Sequence, residues 1–386
     1  MKIQSIAFLG AIAAAYASED TTSKRLILLS DDHAEWMTAD EVAALSLREI
    51  GFVDNTDRSW DAIFQLGAAR LTSRNAAKEF PEAVAFGDVV DAVKAKINPD
   101  ELADSLTAFV SEYANRVYNS TDGQQSCGWI FDQVEALASA TDRSDLQITV
   151  RKFDHTWGQY SVIARVEPTN SDSGRVLSDV VIASAHQDSI NWKDWTNDNR
   201  DIAPGADDDG SGSITILQSL KYLLASDEWK PIRPIELHWY SAEEVGLLGS
   251  KAVAKAYAVA NTDVYAQMQQ DMTGYVRPGT EPVVSLMDDF TSAPLTSFLE
   301  KLVTAYLDIP FTHSKCGYGC SDHFSWNKTG YAGAMPFETN FKDLNRNIHS
   351  QNDTLETIDY DHMAEFTKLT VAYFVELTQD PASTRS

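Results

Sequence analysis

From residue 80 onward the chain alternates between two hydrophobic rhythms. Helical spacing covers Val89 to Lys96, Asp100 to Tyr118 and Trp129 to Ala140, whereas Ile148 to Phe153 and Ser161 to Val166 read as strands. Leu177 to Ala185 reads as a strand with the apolar run Val180-Val181-Ile182-Ala183 at its heart, the pattern of a strand buried on both faces. The spacing then predicts a helix over Gly212 to Leu224, a strand over Ile235 to Tyr240, a helix over Leu247 to Ala260 and a strand over Tyr265 to Gln270. Strands and helices in turn imply crossover units. The expected architecture is a single α/β catalytic domain, residues 80–386, with a mostly parallel central sheet flanked by helices. In such sheets chemistry collects in loops at the carboxyl ends of the strands.

The first 79 residues follow a different pattern. Lys2 and the apolar run Ile6 to Ala15, ending in Ala15-Tyr16-Ala17, predict a signal peptide over residues 1–17 and an extracellular destination. Residues 18–79 hold a strand-like Arg25 to Leu29 and helix-favouring sequence around Asp40 to Ile50, but no residue with an obvious chemical task; they read as a propeptide. Sequons at Asn119 and Asn327 are candidate glycosylation sites, and a third, at Asn352, is expected to stay unmodified.

Composition narrows the function. With 57 acidic and 31 basic side chains the formal charge is −26, which argues against nucleic acid or an anionic membrane as partner. No apolar run after the first twenty residues reaches the roughly 18 needed to span a bilayer. Three cysteines are too few for a disulfide framework, so the fold must rest on its core. Cys316 and Cys320 bracket a glycine-flanked loop short enough for one bridge, leaving Cys127 unpaired; a C-x3-C zinc site is the rival reading.

Potentially reactive side chains fall where the sheet rule puts them. The buried strand ends in His186-Gln187-Asp188-Ser189, and Asp207-Asp208-Asp209 stand between glycines before a helix. Glu243-Glu244 follow the strand ending at Tyr240, Asp271 follows the next, and His349 lies far downstream. Imidazole and carboxylate ligands suit zinc, and a bridging carboxylate can hold two metals, which polarise a carbonyl and acidify a shared water. There is no G-x-S-x-G elbow to support serine chemistry.

Taken together, His186-x-Asp188-Ser189, Gly205 to Gly212, Glu243-Glu244-x-Gly246-Leu247-x-Gly249-Ser250, Asp271-Met272, Cys316 to His323, Ala334-Met335-Pro336-Phe337-Glu338 and Ile348-His349 resemble the secreted double-zinc leucine aminopeptidases of bacteria and fungi, peptidase family M28. The resemblance runs from about residue 80 to residue 380, with every motif in the family's order. It implies the zinc-exopeptidase fold, two Zn2+ per monomer, peptide substrates and a monomeric enzyme. His186 and Asp271 would hold one zinc, Glu244 and His349 the other, and Asp207 would bridge them, with Asp208 next to it where the family has a cis peptide. Glu243 matches the general base and acid, Asp188 the carboxylate orienting the His186 ring, and Tyr318 the oxyanion donor. Met272, Phe337 and Phe341 match pocket positions for a bulky apolar side chain such as leucine. Leu344 stands where some members have an aromatic. Single-zinc glutaminyl cyclases, carboxypeptidases and receptor-like relatives share the scaffold. The intact ligand set and Glu243 favour the aminopeptidase.

Overall fold

The computed structural model describes residues 24–30, 33–48, 50–57, 78–171, 174–193 and 201–381; the expected signal peptide lies outside them. The amino-terminal piece is a small sheet in which β1 (Arg25–Ser30) pairs antiparallel with β2 (His33–Met37) and with β3 (Val53–Asp54). Helix α1 (Ala39–Leu47) lies between β2 and β3 in sequence. A capping box starts α1: Thr38 Oγ1 accepts from the Glu41 backbone N–H at 3.3 Å, and Glu41 Oε2 accepts from that of Thr38 at 2.7 Å. Ile27, Val42, Leu45 and Phe52 form its buried apolar cluster.

The body begins with helices α2 (Gly87–Lys94), α3 (Pro99–Ser111) and α4 (Thr121–Ala140). Strands β4 (Leu146–Phe153), β5 (Ser161–Pro168) and β6 (Val180–His186) follow, then α5 (Gly212–Leu224), β7 (Ile235–Tyr240), α6 (Leu248–Ala260) and β8 (Val264–Gln269). The last third adds β9 (Val284–Met287), α7 (Ala293–Tyr306), β10 (Phe311–Ser314), α8 (His323–Lys328), β11 (Gly333–Ala334), β12 (Pro336–Phe337) and α9 (Tyr360–Thr378). Most predicted bounds hold within a few residues. Two helices differ: the one expected from Trp129 starts at Thr121, and the one expected to reach Tyr118 stops at Ser111. There Asn115 Oδ1 accepts from the Val117 N–H and the Ser120 hydroxyl, and Ser120 Oγ caps α4, so side chains compete with a continuing helix.

Six strands form the central sheet in the order β11-β8-β6-β7-β5-β4. The pairs from β11 through β7 are parallel; β5 and β4 run antiparallel at one edge. Every residue of β6 and β7 is buried; β6 carries the apolar run, whereas in β7 Glu236 is paired with Arg165 and His238. Period-two alternation divides the packing: Val181, Ala183 and Ala185 join a large core with α5 and α9, whereas Val180 and Ile182 pack with Val253, Tyr257 and Trp326 of α6 and α8. A second sheet, β10-β9-β12, stands beside the first. Among the described residues no helix is long and apolar enough to cross a membrane. The carboxyl ends of β6, β7 and β8 all open toward one cleft.

Candidate metal centre and substrate pocket

Two groups of potential donors meet at the strand ends. His186 Nε2, at the end of β6, lies 3.1 Å from Asp208 Oδ1 and 3.6 Å from Asp271 Oδ1. His349 Nε2 lies 3.0 Å from Asp208 Oδ2 and 3.1 Å from Glu244 Oε2. In each triad the donor atoms all lie within 4.8 Å of one another, and Asp208 belongs to both. Despite this crowding, His186 Nε2 and Glu244 Oε1 are buried without an aligned hydrogen bond among the described residues. Buried polar atoms seldom go unpaired, so donors that converge without bonding one another fit a cation between them. Imidazole nitrogen with carboxylate oxygen is a donor set that zinc accepts.

The shared carboxylate is not the one expected. Asp207 enters neither triad: its Oδ2 accepts from Asn345 Nδ2 at 2.9 Å, and it faces Glu338. Burial pushes Asp207 up to about 6, with the Asn345 bond opposing. The cause is local backbone. Asp208 leaves helical geometry (φ −102°, ψ 97°) and so directs its side chain away from that of Asp207. A cis peptide joins Asp208 to Asp209.

Neighbouring carboxylates hold the ligand loops by accepting backbone N–H groups. Asp353 receives Asp207 N and Asp208 N, each at 3.0 Å. Asp209 receives Gly212 N at 2.9 Å and Met272 N at 3.0 Å on one oxygen and His186 N at 3.0 Å on the other. Gly212 permits this approach, since a Cβ there would stand 2.4 Å from Asp209 Oδ1. The His186 ring has both groups of Asp188 beside it: its Nδ1 lies 3.1 Å from the backbone carbonyl and 3.6 Å from the carboxylate. That carboxylate also receives Glu243 N at 3.0 Å and Glu244 N at 3.3 Å, tying the β6 loop to the β7 loop. Ala242, Met272 and His349 have positive φ (58°, 64° and 55°) beside or at the donors, unfavourable backbone of the kind that collects at functional sites. Burial, reinforced by Asp271, Asp322 and Glu244 against the charge of His186, holds Glu243 well above the ordinary carboxyl range.

A cavity of about 310 Å³ opens onto these groups. Glu243, Glu244, Asp271 and Tyr318 line it together with Met272, Met335, Phe337, Phe341, Leu344 and Ile348. All four expected pocket residues are therefore brought together. A disulfide between Cys316 and Cys320 closes the loop carrying Tyr318, and Cys127 is free and buried. Of the expected glycosylation sites, Asn119 is exposed. Asn327 is half-buried in α8, and the Thr329 of its sequon is buried.

The amino-terminal piece supplies one wall of this cavity through Ser46, Ile50, Gly51 and Phe52. Gly51 approaches the Tyr318 ring so closely that a Cβ would stand 1.9 Å from Cζ. Polar contacts fasten the piece to the loop and helix after Glu244. Arg25 Nη2 donates to the Val245 carbonyl at 2.7 Å, Asp54 N to that of Gly246 at 3.3 Å, and Lys251 Nζ to that of Asp54.

A mixed sheet with carboxylates and histidines at its strand ends is hydrolase architecture, and residues 161–374, more than half of the chain, match the sequence pattern of peptidase family M28. The chain belongs to this family and is a peptidase. It is similar to Leucine aminopeptidase 1 of Emericella nidulans, at 39% identity over 364 residues, covering 92% of this chain and 88% of that protein. It is also similar to Leucine aminopeptidase 1 of Aspergillus fumigatus, at 36% identity over 395 residues and 98% of each chain. The crystal structure of the Legionella pneumophila LapA aminopeptidase superposes with a TM-score of 0.76 at 28% identity, over 96% of each chain.

Proposed function

We propose that the protein is a secreted zinc aminopeptidase that removes leucine or another bulky apolar residue from the amino terminus of peptides. The observation that carries this reading is the pair of donor triads sharing Asp208, set beside Glu243 at the mouth of an apolar pocket. His186, Asp208 and Asp271 would hold one zinc, and Asp208, Glu244 and His349 a second. Zinc bound there would supply positive charge that offsets the carboxylates, polarises the scissile carbonyl and acidifies the attacking water.

The remaining work falls to side chains. Met272, Phe337, Phe341 and Leu344 take up the apolar side chain, and the surrounding acids favour a cationic amino terminus over a carboxylate. Glu243 removes a proton from the attacking water and delivers it to the nitrogen of the departing amine. The Tyr318 hydroxyl donates to the oxygen on which charge develops. Asp188 fixes Glu243 and Glu244 through their backbone N–H groups.

Residues 18–79 act in this reading as a removable inhibitory cap, supported by the position of Gly51 against Tyr318 and of Phe52 in the cavity wall. Beyond the cap, Phe80 packs on the body, its ring 5.3 Å from Tyr265 and 6.0 Å from Phe298, in keeping with a mature chain that begins there. The test is release of p-nitroaniline from leucine-p-nitroanilide by chains beginning at residue 18 and at residue 80. The shorter chain should be the faster, and its activity should vanish with a chelator and return with zinc. Equal rates would end the cap proposal alone; no release from a folded, zinc-loaded short chain would end the aminopeptidase proposal.

A further inference from the structure

Outside the ligand set, one buried charge binds the metal-bearing loops together. Arg116 lies between α3 and α4 and is 1% exposed. Its guanidinium donates from Nε to the Gln187 carbonyl at 2.8 Å, from Nη1 to that of Pro204 at 2.5 Å and from Nη2 to that of Gly205 at 2.8 Å. Its face stacks on Phe109, 4.7 Å from the ring centroid. The Arg116 backbone extends the hold: its N–H donates to Ser189 Oγ at 2.9 Å, and its carbonyl accepts from Gln159 Nε2 at 3.1 Å. Gln159 Oε1 in turn accepts from Ser241 Oγ, two residues before Glu243.

A buried arginine that spends its donors on carbonyls is an expensive way to hold a turn, because the charge loses its water without a carboxylate in contact. Compensation lies one layer further out. Asp188, Asp208, Asp209 and Asp353 all favour its charged form across the intervening carbonyls, although burial pulls it down to about 10. The three carbonyls it clamps belong to two different loops. Gln187 follows His186, and Pro204-Gly205 lead into Asp208. The fork geometry that only arginine offers therefore fixes the spacing of those two loops.

We infer that Arg116 is a positioning residue for the metal centre: it sets the separation of the His186 and Asp208 loops and supplies a permanent positive charge beneath carboxylates that must coexist before a cation arrives. The inference rests on the metal-centre reading above. The test uses the chain from residue 80 and measures zinc affinity by competition with a chromophoric chelator, alongside melting temperature, in the parent, Arg116→Met, Arg116→Ala, Arg116→Lys and Phe109→Leu. Removal of residues that orient ligands typically costs metal affinity about 10- to 100-fold. A loss in that range is expected for Arg116→Met. Arg116→Lys should lose less, because it keeps the charge but not the fork. Phe109→Leu, which frees the guanidinium without deleting it, should lose affinity measurably but less than Arg116→Met. Millimolar guanidinium should restore zinc affinity to Arg116→Ala, and methylammonium should not. If Arg116→Met fails to fold, the Lys and Leu variants carry the test. Zinc affinities within twofold of the parent in the folded variants would overturn the inference while leaving the metal centre standing. A parent that binds no zinc would overturn both.

Discussion

The body rests on apolar packing that runs through both faces of a six-stranded sheet, whereas the described part of the amino-terminal piece has one small cluster of its own, Ile27, Val42, Leu45 and Phe52. A small domain buries a lower share of its surface on folding, so the surface on which the piece docks adds to its order. Its fastenings differ in kind as well. They are polar contacts of Arg25 and Asp54 with the Val245-Gly246 loop and with Lys251 of α6, with Leu28 and Val53 packed on Leu247, Phe290 and Phe324. The apolar core around β6 and β7 does not depend on them. Under the cap proposal the piece would leave without unfolding the body, and it is the piece that walls the cleft.

The contrast can be broken or sharpened by four measurements. The largest effect is expected within the body. Glu243→Gln should keep its zinc yet lose about 10³ in kcat, since it removes a proton carrier and no ligand; metal content and rate read on the same sample decide it, and parallel loss of both would reassign Glu243. Next comes the pair Asp208→Asn and Asp207→Asn. The first should weaken zinc retention about 100-fold or more, beyond what outer residues cost, and the second only slightly. Equal losses would erase the distinction drawn between the two acids. In the cap, Gly51→Leu should force the Ile50-to-Phe52 turn off Tyr318. Overpacking of this kind costs about 1–3 kcal/mol, so the uncleaved precursor should gain about tenfold in activity. An unchanged precursor would place the inhibition elsewhere.

The smallest effect at neutral pH concerns His323, at the start of α8. It is fully buried, neither ring nitrogen has a partner among the described residues, and burial pushes its pKa down to about 3. Below its ordinary value near 6.5 the unfolded chain takes up a proton that the folded body refuses. Stability of the body therefore falls as pH drops from about 6.5 to about 3, by about 1.4 kcal/mol per unit from this group. Denaturant titration of His323→Phe over that range should show a shallower acid limb; an unaltered slope would mean the ring is not held neutral.

Much of this organisation was legible in the sequence, for identifiable reasons. The apolar run Val180 to Ala183 marked β6 as a strand buried on both faces, and the histidine at its end stood out against it. Asp207 and Asp208 could not be told apart that way. Consecutive acids between glycines carry no period, and the choice was made by the φ and ψ of one residue. Arg116 left no trace because its partners are backbone carbonyls, which every residue has. The cap's role was equally silent: the residue nearest Tyr318 is a glycine, whose contribution is the absence of a side chain. The helix ending at Ser111 ran short because Asn115 and Ser120 offered the backbone other partners, which periodicity does not count.

The apolar pocket also has a chemical vulnerability. Met272, Met287 and Met335 are buried together there against Phe337. Thioethers adapt well to varied guests, but peroxide turns each into a polar, chiral sulfoxide that no leucine side chain would choose as a neighbour. Ile50 to Phe52 line the same cavity as Met272 and Met335, and under the cap proposal they would limit access to it. Cleavage of the precursor would then begin the enzyme's ageing at the moment it begins the enzyme's work.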